Sequence, residues 1–98
     1  MVLEHALLQI KAGQAAEFEA NFRRARQIIS SMTGFRRLSL SRCLERSDSY
    51  LLLVEWNTLE DHTEGFRGSA EYQEWRTLLH HYYDPFPVVE HYEQVDGA

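Results

Sequence analysis

The residues best suited to chemistry lie in one stretch of the chain, residues 50–75. This stretch carries the aromatic residues Phe66, Tyr72 and Trp75 and, shortly before them, His62. It opens with an apolar run that ends in a turn, so it predicts a buried strand, a corner and a covering helix. A histidine beside aromatic side chains can accept a proton inside an apolar pocket. We therefore predict a pocket here, with His62 as the candidate base.

Four further residues are candidates for the same pocket, namely Trp56, Asn57, His5 and His91. Trp56 and Asn57 stand where the strand is expected to end, and Asn57 is also suited to holding its own turn. His5 and His91 lie on predicted strands, so each could face either the helices or the opposite side of the sheet. Aromatic residues at helical spacing are also typical of an ordinary core, and His62 could equally cap or pack a helix. These structural interpretations stay open at this stage.

A metal site is another possible use of the five histidines. His80 and His81 are adjacent, so on a helix their side chains diverge by about 100° and cannot both reach one ion. The sequence contains no His-x-x-x-His and no Cys-x-x-Cys spacing. We therefore predict no metal.

Length, charge and cysteine content limit the classes of protein to which the chain can belong. With 98 residues it fits one domain, 1–98, and a domain this small gains stability from a partner. The net charge of −5 argues against a nucleic-acid partner, because phosphate binding requires clustered Lys and Arg. Cys43 is the only cysteine, so a reducing compartment is expected. Without a signal peptide or an apolar run of about 18 residues, we predict no membrane partner and a cytoplasmic location.

Hydrophobic periodicity predicts the order strand, helix, strand, strand, helix, strand. The predicted strands are 2–10, 35–44, 50–56 and 88–95. A helix of about 18 residues is expected from Gln14, with Gly34 in the left-handed position that ends it. Two shorter helices follow, at 59–66 behind Thr58 and at 70–80 behind Ser69, since Thr58 and Ser69 are suited to cap them.

This order is typical of the ferredoxin-like α+β fold, a four-stranded antiparallel sheet with both helices on one face. The first and third strands are apolar on both faces, and two helices can cover only one of them. A second copy of the same sheet is the simplest cover for the other face. We therefore predict a homodimer that forms a dimeric α/β barrel.

Five segments spread over nearly the whole chain match one known family. They are 10–14 (IKAGQ), 50–56 (YLLLVEW), 59–69 (LEDHTEGFRGS), Tyr72 with Trp75 and Arg76, and 84–87 (DPFP). In these segments the chain resembles the antibiotic biosynthesis monooxygenase family, small dimeric α/β-barrel proteins. The haem-degrading relatives carry a tryptophan and a ligating histidine where this chain has Phe66 and Arg76, so the resemblance does not extend to haem breakdown.

The resemblance implies a chemistry as well as a fold. In this family a small phenol, quinol or anthrone, once deprotonated, reduces dioxygen itself. The protein then supplies an apolar pocket, a base and donors for the anion, without flavin, haem or metal. For this chain the resemblance implies His62 as a possible base, aromatic walls, no cofactor, and a small aromatic molecule and dioxygen as partners. The alternative is a non-catalytic dimeric barrel protein that binds a small molecule or serves in stress.

Overall fold

Four strands and two helices follow one another along the chain in the predicted order, strand, helix, strand, strand, helix, strand. The computed structural model describes all residues, 1–98. The strands are β1 (Val2–Gln9), β2 (Phe35–Arg42), β3 (Ser49–Trp56) and β4 (Val89–Tyr92), and the helices are α1 (Ala15–Ile29) and α2 (Ala70–Leu79). A π-helical turn at Asp61–Phe66 precedes α2, and a 3-10 turn at His80–Tyr82 follows it.

The strands form one antiparallel sheet in the order β2-β3-β1-β4. β1 and β3 pair along their full length, from Val2 opposite Trp56 to Gln9 opposite Ser49. The sheet with its two helices is the ferredoxin-like α+β fold, so the sequence prediction is confirmed. No helix of the structure has both the length and the apolarity needed to cross a lipid bilayer.

The helices cover one face of the sheet. On that face lie Ala6 and Leu8 of β1 and alternate residues of β3 from Tyr50 to Trp56, all at most 3% exposed. α1 packs on them through residues spaced three or four apart, which are Phe18, Phe22, Ala25 and Ile29. The predicted period of this helix therefore marks its buried side.

The opposite face of the sheet has no cover within the chain. Its apolar residues are Leu3, Leu7, Leu51, Leu53 and Tyr92, and we call this set the open face. Leu7 is 51% exposed and Tyr92 48% exposed, although both lie within paired strands. An apolar surface of this kind is typical of a contact with another molecule.

The end of α1 differs from the prediction. The helix stops at Ile29, because the amides of Ser31 and Met32 bond to carbonyl groups only three residues back and form turns instead. Gly34 does have the expected positive φ, 84°, but it lies in the turn closed by the hydrogen bond from Phe35 N to Met32 O. This turn, and not a helix cap, is what requires glycine here.

β1 ends at Gln9, one residue before the predicted end, and two further strands fall short by more than one residue. β2 ends at Arg42 instead of residue 44. β4 covers only Val89–Tyr92 of the predicted 88–95, because only four of its residues pair with β1. The alternation of side chains therefore predicted the C-terminal ends of β2 and β4 too far along the chain.

Both predicted caps are present, one before the π-helical turn and one at the start of α2. Thr58 N donates to Asp61 Oδ2 at 3.2 Å, and Asp61 N donates to Thr58 Oγ1 at 3.1 Å. Ser69 Oγ accepts from Tyr72 N at 3.1 Å at the start of α2. Reciprocal capping of this kind satisfies amides that have no partner within the helix.

Candidate functional site

A cavity of about 390 Å³ lies between the helix-covered face of the sheet and α2. Most of its lining is apolar or aromatic, and comes from Ala6, Leu8, Leu52, Phe66, Tyr72, Trp75, Tyr83, Phe86, Pro87 and Val89. Four polar side chains complete the lining, namely Glu4, His62, Arg67 and His80. This volume and this mixture of residues are typical of sites for small organic ligands.

The π-helical turn and α2 together form the aromatic wall of the cavity. The ring of Phe66 meets the ring of Tyr72 at 5.2 Å and 88°, and the ring of Trp75 at 5.7 Å and 79°. Edge-to-face contacts of this kind hold aromatic rings in fixed orientations. Arg67 and Phe86 are the two exposed lining residues, so they mark where the cavity meets solvent.

The π-helical turn brings His62 and Phe66 to the cavity together. Its wider hydrogen bond runs from Arg67 N to His62 O at 3.1 Å, five residues apart, where the sequence predicted an ordinary short helix. Gly68 is needed at its end, because a Cβ there would lie 2.5 Å from Glu64 O. Single π turns occur often at functional sites.

A buried polar cluster forms the floor of the cavity. Trp56 Nε1 donates to Glu4 Oε1 at 3.0 Å, and His62 Nε2 lies 3.3 Å from the same oxygen. The indole of Trp56 stacks on the imidazole of His62, with ring centres 5.3 Å apart and an angle of 16°. His62 Nδ1 is 2.7 Å from His91 Nε2, so one imidazole donates a proton to the other. Glu4, His62 and His91 thus form a continuous chain.

Burial controls how this cluster ionises. It raises the pKa of Glu4 from 4.5 to about 7, although the hydrogen bond from Trp56 and the charge of Arg67 act in the opposite direction. Burial, with Arg67 and His91, lowers the pKa of His62 to about 3. Although Glu4 and His62 lie at ion-pair distance, both shifts favour the uncharged groups, since the cost of burying charge exceeds their attraction. Near neutral pH, His62 is uncharged and Glu4 is close to its midpoint.

Three further residues at or behind the cavity, His80, Tyr83 and His91, also favour their uncharged forms. Burial and the neighbouring Arg76 lower the pKa of His80 to about 4. Burial, with the charge of Glu4, raises the pKa of Tyr83 above its usual range. Burial and Arg67 lower the pKa of His91. No group of three His, Cys, Asp or Glu side chains is arranged to hold a metal ion.

The structure brings together six of the eight site residues suggested by the sequence. His62, Phe66, Tyr72 and Trp75 line the cavity. Trp56 and His91 lie behind them, each in contact with the imidazole of His62.

The remaining two candidates lie elsewhere. His5 lies on the same side of the sheet as the open face, because odd-numbered residues of β1 point away from the helices. Its ring packs against that of Tyr92, with ring centres 5.5 Å apart. Its Nδ1 is buried and has no hydrogen-bond partner. Asn57 is exposed beyond the end of β3, where its Oδ1 accepts from Arg36 at 3.2 Å.

Four polar or phenolic lining residues were not among the sequence candidates, namely Glu4, Arg67, His80 and Tyr83. Glu4 left a signal in the sequence, because it is a carboxyl residue in register with Ala6 and Leu8 on the apolar side of β1. A charged residue at such a position is buried only with partners. The other three lie in or beside turns, where periodicity does not indicate direction.

Comparison with known proteins finds similar proteins by sequence and by fold, and both point to one family. Residues 1–78 match the sequence model of the family described as antibiotic biosynthesis monooxygenase. The chain is 62% identical over 95 residues to the uncharacterized protein YczJ of Bacillus subtilis, covering 97% of this chain and 100% of YczJ.

Two solved structures extend the comparison. A candidate antibiotic biosynthesis monooxygenase from Bordetella bronchiseptica is 34% identical, with a TM-score of 0.91 and 96% of each chain covered. SnoaB, a cofactor-independent oxygenase from Streptomyces nogalater, is 20% identical, with a TM-score of 0.78 and coverage of 99% of this chain and 94% of SnoaB. The similarity to SnoaB is one of fold. From the family match and the similarity to the Bordetella protein, we conclude that this chain belongs to the antibiotic biosynthesis monooxygenase family.

Proposed function

We propose that the chain is a cofactor-independent monooxygenase that oxidises a small phenol, quinol or anthrone with dioxygen. The observation that carries this proposal is the cavity of about 390 Å³, which has aromatic walls and titratable residues on its floor. Family membership supports the reaction type. The aromatic walls support a flat, apolar substrate, since such rings stack on or meet other rings edge to face.

The chemistry that fits this site begins with loss of the substrate's hydroxyl proton. The resulting anion gives electrons to dioxygen and forms a carbon–oxygen bond, and loss of water then leaves a carbonyl group. An apolar site favours such electron transfer if a cation stabilises the anion. Arg67 at the edge of the cavity supplies that cation, and the titratable floor, which includes the sequence candidate His62, supplies the proton acceptor.

We also propose that the protein works as a homodimer joined through the open face. Leu3, Leu7, Leu51, Leu53 and Tyr92 form an apolar surface that an identical sheet would cover. A two-fold axis would place the two open faces together, so that one surface serves both partners. The cavities would then lie on the outer sides of the joined sheets, under the helices.

Oxygen consumption tests the proposed reaction directly. In metal-free buffer, with a panel of anthrones and hydroquinones, we expect the protein to consume oxygen well above the spontaneous rate for at least one compound. His62→Ala is expected to lower that rate by at least about 10-fold, because Glu4 then loses its partner on the floor of the cavity. His81→Ala is the matched control, since His81 is exposed and does not line the cavity.

Three results would each count against a part of the proposal. Uptake no faster than the spontaneous rate across the panel would remove the monooxygenase function. If a panel compound binds stoichiometrically without being oxidised, the protein is instead the non-catalytic small-molecule binder that was the alternative from the sequence. Equal rates for the wild type and His62→Ala would remove His62 from the reaction.

A further inference from the structure

Glu4 is the one acidic residue that the fold buries, at 5% exposure among fifteen Asp and Glu residues. It lies on the side of β1 that faces the helices, where the other residues, Val2, Ala6 and Leu8, are apolar. A carboxyl group at such a position reduces stability unless it is paired, and natural chains keep such groups mainly for function. Glu4 does accept the hydrogen bond of the buried Trp56 indole, but an uncharged acceptor would satisfy that donor as well.

The contacts of Glu4 leave one of its oxygens free for a ligand. Trp56 Nε1 and His62 Nε2 both approach Oε1, at 3.0 Å and 3.3 Å. No hydrogen bond from the protein reaches Oε2, and Glu4 lines the cavity. A hydroxyl group of a bound aromatic molecule can therefore reach Oε2 without displacing any protein contact.

His62 is less available than Glu4 for the same proton. Its Nδ1 is occupied by His91, its Nε2 points to Glu4, and its ring lies against the indole of Trp56. Its low pKa also makes it a weak acceptor, whereas the pKa of Glu4 is about 7 and matches a base that works near neutral pH.

From this geometry we propose that Glu4 is a catalytic residue, which takes the substrate's hydroxyl proton through Oε2 and later returns it to the departing oxygen. His62 and His91 are positioning residues that hold Oε1 while Oε2 gains and loses the proton. In both states Oε1 has lone pairs that accept from Trp56 Nε1 and from His62 Nε2, and His62 Nδ1 accepts from His91 Nε2. The hydrogen bonds of the cluster are therefore satisfied in both states. The proposal rests on the monooxygenase function proposed above.

The atoms and electrons of the reaction balance with this single carboxyl group. For a substrate HO–Ar–H, the carboxylate takes the hydroxyl proton, and the phenolate adds dioxygen at the ring carbon as a peroxide anion. The O–O bond breaks as the ring carbon loses its hydrogen, which gives a second carbonyl group and hydroxide. Hydroxide takes the proton held on Glu4 and leaves as water. The sum is HO–Ar–H + O₂ → O=Ar=O + H₂O, and Glu4 returns to its starting state.

Other charged or titratable groups also face Glu4 and bear on its titration. His62 lies in the π turn and Arg67 directly after it, and His91 lies in β4. Tyr72 lies in α2, His80 directly after α2, and Tyr83 after the 3-10 turn. Arg67 is the only cation among them near neutral pH, and it favours the ionised carboxyl group. The base must be ionised to act, so activity should rise with pH through about 7 and then level off.

The test combines kinetics with a measurement that does not need turnover. With the panel compound oxidised fastest by the wild type, Glu4→Gln is expected to lower kcat/KM by about 10²- to 10⁴-fold at pH 8 and to abolish the pH inflection. Glu4→Asp, which keeps a carboxyl group, should retain the inflection and part of the rate. Carbon-13 NMR of protein labelled at Glu carboxyl groups should show one resonance that titrates near pH 7 and is missing in Glu4→Gln.

The outcomes separate this proposal from the one on which it rests. If the wild type oxidises no compound on the panel, the monooxygenase function fails, and the role of Glu4 fails with it. If the wild type is active and a folded Glu4→Gln keeps its rate and pH inflection, only the role of Glu4 fails. A wild type without any Glu resonance titrating near pH 7 also overturns that role, and it does so even if Glu4→Gln does not fold.

Discussion

An Ala6→Phe variant is expected to fold normally and to lose at least about 100-fold in binding or turnover of the aromatic substrate, equivalent to about 3 kcal/mol. Ala6 lies in the middle of the cavity floor, with Leu52 of β3 and Val89 of β4 as its cross-strand neighbours. A phenyl group at this position would occupy the space that we assign to the substrate. Titration calorimetry and oxygen uptake measure the loss, and thermal unfolding measures the stability.

Stability is the informative control in this experiment. A phenyl group forced into a well-packed core costs about 1–3 kcal/mol, whereas one that enters an existing cavity costs little. Ala6→Ser changes the same position without filling the space, so it should bind substrate nearly as the wild type does. A folded Ala6→Phe that binds substrate normally would show that the ligand site lies outside this cavity.

A Leu7→Lys variant is expected to convert the proposed homodimer into monomers and to raise the dissociation constant at least about 1,000-fold, or about 4 kcal/mol. Leu7 lies on the open face and is 51% exposed in the single chain, so the substitution should change the monomer's own stability little. In the proposed dimer it would bury an unpaired charge, which costs several kcal/mol. Sedimentation velocity over a range of micromolar concentrations measures the effect.

Another exposed leucine provides the matched control. Leu44 is 95% exposed and lies in the turn between β2 and β3, outside the open face, so Leu44→Lys should remain dimeric. If the wild type itself sediments as a single chain at micromolar concentration, the proposed dimer is wrong. A dimer that persists in Leu7→Lys would place the interface on another surface.

The sequence predicted the fold well because the helix and strand periods are strong and agree with one another. Alternation placed Ala6 and Leu8 on one side of β1 and Leu3 and Leu7 on the other, and the sheet has this arrangement. The ends of elements were predicted less well, as at the end of α1. There the choice between one more helical turn and a tight turn depends on hydrogen bonds, and no hydrophobic pattern records those.

The site was only partly predictable for a related reason. The aromatic wall followed from local spacing, since Tyr72 and Trp75 lie three residues apart on α2. The floor depends on contacts between distant segments, such as Trp56 with Glu4, which are 52 residues apart. His91 of β4 lies opposite Glu4 of the neighbouring strand β1, and the sequence does not show this register. Periodicity put Glu4 on the same side of β1 as Ala6 and Leu8, but only the tertiary structure revealed that this side faces the helices and which partners Glu4 has.

The most direct test of the central claim, oxygenation in the cavity without an added cofactor, is the fate of labelled oxygen. Purified protein in metal-free buffer would be supplied with ¹⁸O₂ and the panel compound that gives the fastest uptake, and the product analysed by mass spectrometry. The account predicts one ¹⁸O atom in each product molecule, with formation blocked in Ala6→Phe. A product that takes its new oxygen from water, or one that forms equally fast in Ala6→Phe, would contradict it.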